Sequence, residues 1–176
     1  MRLTQYLSEK INLNYKLKAA NYYDHGDTYE IEFDVGGREY IFHAEEYKLE
    51  WESRQMREFL GVPKYKGPAV IWDVEFKEIN FSNPRDSHSI TGTAKGQALE
   101  VFSAVAVCLK HFVLKKRPDI VTFSAKEPSR IRVYNRLAKI IPTIRTTSGQ
   151  FEFLGTVDTR EKVYVFKRKG MEIKND

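Results

Sequence analysis

The chain is nearly devoid of cysteine: Cys108 is the only one among 176 residues. That excludes an intramolecular disulfide framework and any zinc site built on several cysteines. Cys108 sits in an apolar run, which predicts a core position. No apolar run reaches the roughly 18 residues that a membrane-spanning helix needs. The opening MRLTQYLSEKINLNY lacks the apolar stretch of a secretory signal. These absences set the expectation of a cytoplasmic protein with no membrane partner. The four histidines, His25, His43, His88 and His111, are too scattered to argue a metal site. There is no internal repeat, no Ser-His-Asp or Cys-His arrangement, and no phosphate-loop or dinucleotide fingerprint.

What is present is an ordinary globular composition, 41% apolar and 30% charged. The length suits a single domain spanning 1–176. The net charge of +5 is unevenly spread. From Asp24 to Glu58 there are 11 acids and 4 bases, net −7; from Leu109 to Arg145 there are 10 bases and 2 acids, net +8. The basic half suits an anionic partner, either a nucleotide cofactor or nucleic acid, or else only a solvated face. Few exposed aromatics accompany the basic residues, so the expected nucleic-acid affinity is weak and salt-labile.

Periodicity supplies the elements. LTQYLSEKINL predicts a short amphipathic helix and NYKLKAANYYD a first strand. TYEIEFDVGGREYIFHAEEY predicts a hairpin: Tyr29, Ile31 and Phe33 alternate with acids, Gly36-Gly37 makes the turn, and Tyr40, Phe42 and Ala44 alternate on the return. WESRQMREFL reads as a helical turn or lid, and AVIWDVEFKEINF as a long strand. A buried helix follows from Gln97 to Leu114, with Ala98, Phe102, Val105, Leu109 and Phe112 on one stripe. Pro118 stops it and is expected to push Arg117 into an extended conformation. DIVTFSA predicts a central buried strand. Pro128 opens a second helix, whose face of Ile131, Tyr134, Leu137, Ala138 and Ile141 is apolar, and Pro142 ends it. TIRTTSGQ reads as a loop, and FEFLGTV and KVYVFKR as a closing hairpin. The order predicts an α/β class, strictly a mixed α+β sheet with helices on its faces. Within it two parallel strands are joined by a right-handed crossover.

The stretch TGTAKGQALEVF joins the long strand to the first buried helix. Its small residues Gly92, Ala94, Gly96 and Ala98 let a backbone approach an anion closely, and Lys95 adds positive charge. The helix that follows aims unpaired N–H groups at this loop. A plain loop-to-helix junction has the same composition.

This order, with TAKGQA and the tyrosine of VTFSAKEPSRIRVYNRLAKII, resembles the GNAT superfamily of N-acetyltransferases over about Val70 to Lys169. The resemblance implies a GNAT-like acyl-coenzyme-A N-acyltransferase fold, with a diverged N-terminal part (1–69) and a cofactor-site-like part (70–169). The family pattern Gln/Arg-x-x-Gly-x-Gly/Ala falls on Thr93, Ala94, Lys95, Gly96, Gln97 and Ala98, with Thr93 replacing the usual Gln or Arg. Those residues would grip the pyrophosphate of acetyl-CoA in a cleft where the two parallel strands splay apart. The resemblance makes Tyr134 the candidate acid for the departing thiolate; a core tyrosine is the other reading of that position. Glu75, which shares a strand face with Asp73, is the candidate base. Glu127 stands where the family has Asn, and Ala138-Lys139 replace a Gly-Phe. Arg132 and Arg136 face a coenzyme phosphate, a nucleic-acid backbone or solvent. The acceptor amine, small molecule or protein, is not legible. The basic, aromatic-rich style resembles small bacteriophage proteins that carry GNAT-like domains. The alternative function is an inactive GNAT-fold binding module for protein or nucleic acid.

Overall fold

Residues 11–47, 71–79, 98–125, 128–146, 149–158 and 161–170 are described by the computed structural model of the chain. The expected turn at Trp51 to Leu60 lies outside them, as does the N-terminal helix except for Ile11, Asn12 and Leu13, which are not helical.

Three antiparallel strands open the fold: β1 (Lys18–Asp24), β2 (Thr28–Val35) and β3 (Arg38–Tyr47). In β2 every second side chain, Tyr29, Ile31, Phe33 and Val35, is buried, as strict alternation dictates for a half-buried strand. Gly36 and Gly37 turn the hairpin with φ of 62° and 79°. Two successive left-handed residues match the twist of the flanking strands, and glycine adopts that backbone without steric cost. β4 (Ile71–Glu78) adds antiparallel to β3, and β5 (Ile120–Ala125) adds parallel to β4. The last strands are β6 (Arg145–Thr146), β7 (Gly149–Asp158) and β8 (Lys162–Arg168). The sheet order is β1-β2-β3-β4-β5-β8-β7-β6. A mixed sheet with a parallel pair at its centre is therefore present, as the element order predicts.

The crossover between the parallel strands is α1 (Ala98–Lys116), and α2 (Pro128–Ile140) follows β5. Phe112 of α1 is wholly buried, its ring 5.9 Å from Tyr29, 5.8 Å from Phe42 and 5.2 Å from Trp72. Tyr134 of α2 meets Phe76, Phe123 and Tyr164. Trp72 and Phe76 share one side of β4 by period two, and Trp72 stands beside Val121 in register. Both described helices thus cover the same face, where the sequence suggested helices on its faces. The physical reason lies in the other side of β2 to β4, which carries Glu30, Glu32, His43, Glu75 and Lys77. No apolar helix stripe can dry that row without stranding charge.

The C-terminus of α1 is pinned to the β1–β2 turn. Lys116 Nζ pairs with the Asp24 carboxylate, donates to Gly26 O at 2.8 Å, and lies 5.9 Å over the Tyr29 ring and 5.2 Å over the Trp72 ring. One turn earlier, Tyr29 Oη and His111 Nδ1 are 2.7 Å apart, with Tyr22 packed over the imidazole at 4.7 Å.

Two sequence expectations need correction. Arg117 is not extended; it has a φ of 50°, and its N–H bonds Val113 O at 3.0 Å. A left-handed residue just past a helix closes the last turn while redirecting the chain, and Pro118 follows with no N–H left to satisfy. The stretch Thr143 to Gln150 is not simply a loop. Arg145 and Thr146 pair with Gln150 and Gly149 as a tight hairpin, anchored by buried Ile144. Its strand is too short to produce a readable alternation.

Candidate functional site

The parallel pairing between β4 and β5 is brief. It comprises Ile71–Ile120, Trp72–Val121 and Asp73–Thr122, and then ends. Beyond it, β4 stays paired to β3 as far as Glu78, and β5 stays paired to β8 as far as Ala125. The two strands therefore part toward their C-terminal ends, the ends that face the start of α1. In open α/β sheets, ligands bind at the carboxyl ends of parallel strands.

Tyr134 stands at this fork. Its ring lies 6.0 Å from Phe76 on β4 and 5.5 Å from Phe123 on β5, and is 1% exposed. Helical spacing puts Tyr134 on the apolar face of α2 with Leu137 and Ala138, and buried Ile141 of the 3-10 turn that follows continues it. Tyr164 of β8 closes the cluster at 5.8 Å.

On the opposite face, the last rung carries a polar pair. Thr122, fully buried, donates its hydroxyl to Asp73 Oδ1 at 2.7 Å. Glu75 lies two residues on, on the same side of β4, beside His43 in register. Its carboxylate is partly exposed and 3.4 Å from Lys77 Nζ. His43 Nδ1 sits 2.8 Å from Glu30 Oε1, so the imidazole is turned away from Glu75 toward the neighbouring strand. Glu75 and Tyr134 thus occupy opposite faces of the sheet, on either side of the fork.

Of the expected cradle, Thr93, Ala94, Lys95, Gly96 and Gln97 lie outside the described residues, and Ala98 is the first residue of α1. Two features of the described chain bear on whether an anionic group fits there. Glu100 sits in the first turn of α1, which satisfies the helix dipole but opposes an anion. The Arg136 guanidinium lies 5.8 Å over the ring of Phe102, bringing positive charge from α2 to the first turns of α1. Arg136 is therefore packed against α1, which the sequence left open between a phosphate, nucleic acid and solvent.

Cys108 is completely buried, as expected, and burial pushes its thiol well above the usual range, so it is no nucleophile. Among the described residues no group of His, Cys, Asp and Glu could hold a metal ion, and no helix is long and apolar enough to cross a membrane.

Sequence reasoning missed the Asp73–Thr122 bond and the Arg136–Phe102 contact. The only available signal for the first was a threonine inside a mostly apolar strand. No family model matches the chain, and no curated protein matches its sequence at a significant level.

Proposed function

We propose that the chain is a GNAT-like N-acyltransferase that moves an acetyl group from acetyl-CoA to an amine. The observation that carries this reading is the early end of the β4–β5 ladder, after Asp73–Thr122, at the edge that faces the N-terminus of α1. The cofactor would supply a thioester, an acyl group already activated toward amines. The backbone N–H groups of Lys95 to Ala98 would hold its pyrophosphate, with Arg136 adding charge from α2. The Tyr134 hydroxyl would hand its proton to the departing thiolate, and Glu75 would take the proton of the attacking amine. Holding both reactants in the fork supplies the main rate advantage, by orientation.

Isothermal titration with acetyl-CoA tests this directly. Wild-type chain is expected to bind, and Gly96→Glu to lose binding while keeping its fold by circular dichroism. No heat at millimolar cofactor would remove the enzyme reading.

One observation favours the second reading, a binding module on the same fold. Tyr134 is enclosed by three aromatic rings, the surroundings of a core residue as much as of an acid catalyst. The departures at Thr93, Glu127 and Ala138-Lys139 support the same view. Binding of short DNA or RNA that survives physiological salt, with no acetyl-CoA heat, would favour it.

A further inference from the structure

The C-terminal half of α2 and the β7–β8 hairpin border an open groove of about 640 Å³. Its volume falls in the range of small-molecule sites, roughly 300–1,000 Å³. The charged side chains that line it are both cationic. Lys139 of α2 and Lys162 of β8 both border it, and neither forms an ion pair among the described residues. Asn135 precedes Lys139 by one helical turn and also faces the groove. The Tyr164 hydroxyl donates to Asn135 Oδ1 at 2.7 Å, which occupies the amide oxygen and leaves the amide N–H groups to the groove. What is offered to a ligand is therefore two ammonium groups and an amide donor. Asp158, exposed and in register with Lys162, is close enough to repel charge on the Tyr164 phenol, so one carboxylate stands at the rim beside the two ammonium groups.

The apolar lining is flat. Phe153 packs one side against Phe166 at 5.1 Å and Tyr164 at 6.4 Å, yet keeps 40% of its surface exposed. Gly155, with a φ of 135°, follows the irregularity in β7 and also borders the groove.

We infer that this groove is a binding site for a small aromatic dianion of the mononucleotide class. The planar ring stacks on Phe153 and the phosphate sits between Lys139 and Lys162. Two ammonium groups suit a doubly charged group better than a single carboxylate. The groove shares Tyr164 with the aromatic cluster at the fork, but the proposal does not depend on the acyltransferase reading.

The test is titration calorimetry on the full chain with three probes: adenosine 5′-monophosphate, adenosine, and ribose 5-phosphate. The nucleotide is expected to bind, with both fragments weaker by roughly tenfold or more, since each lacks one half of the recognition. K139Q together with K162Q is expected to abolish nucleotide binding, and F153A to weaken it roughly tenfold to a hundredfold. Lys139 and Phe153 are exposed and Lys162 is half-buried, so the variants should fold; circular dichroism checks this. G96E is expected to leave nucleotide affinity unchanged, which separates this groove from the loop before α1. No nucleotide binding, equal binding of adenosine and nucleotide, or loss of binding in G96E but not in the lysine double variant would each overturn the assignment.

Discussion

Thr122 Oγ1 donates to Asp73 Oδ1 at 2.7 Å, across the last rung of the parallel β4–β5 ladder. The bond ties the two strands together at the point where they separate. Thr122→Val keeps the shape and removes the donor. It is expected to lower stability by about 1–2 kcal/mol, since the half-buried carboxylate loses one partner but keeps access to water. Urea unfolding checks this, and an unchanged midpoint would make the bond incidental.

Tyr134→Phe separates the two readings of the fork. If the phenol protonates the thiolate, single-turnover acetyl transfer should slow by roughly 100- to 10,000-fold, with acetyl-CoA affinity nearly unchanged. Equal rates for the two proteins would leave Tyr134 a packing residue.

The contact between Tyr29 and His111 predicts a pH dependence. Burial, then the nearby Lys115, lowers the His111 pKa. Burial, with Tyr22 and Asp24 adding repulsion, pushes Tyr29 up to about 12, so its phenol stays protonated and can donate to a neutral imidazole. A lowered pKa means the folded state binds fewer protons than the unfolded state. The contribution is therefore fully present above the unfolded value of about 6.5, and is lost as pH falls through the folded value below it. The imidazole is exposed on one side, so solvent screening keeps the effect small. Denaturation midpoints at about pH 7.5 and about pH 5, compared between wild type and His111→Gln, should show a smaller acid loss in the variant.

Phe112 is the ring around which α1 packs onto β2, β3 and β4. Phe112→Ala is expected to cost about 3–5 kcal/mol, because three facing aromatic rings cannot collapse into the space. Thermal unfolding followed by circular dichroism should show a large drop in Tm. A loss below about 1 kcal/mol would mean that the core repacks freely.

The elements that were legible were those with a local period. Tyr29, Ile31, Phe33 and Val35 report a half-buried strand to any reader of the chain, and the Gly36-Gly37 pair reports its turn. The stripe from Phe102 to Phe112 likewise reports a buried helix, and the strand–helix–strand order reports the parallel pair. Arg117 was misread because the restriction imposed by Pro118 competes with the demand of a helix end for a left-handed residue. β6 was missed because two residues carry no period. Of the candidate site, the apolar surroundings of Tyr134 were legible from helical spacing. The pairing of Asp73 with Thr122 was not, because 49 residues separate them.

The sequence by itself determined which residues alternate, which recur every third or fourth place, where glycine and proline break the pattern, and how charge divides between the halves. These are properties of short stretches, set by backbone geometry and by burial of one face. Only the tertiary structure decided that the parallel ladder stops after three rungs, that both described helices cover one face, and that Asn135 meets Tyr164 beside Lys139 and Lys162. Such relations depend on the register between distant strands and on how whole faces pack, and neither leaves a trace in the local pattern of residues.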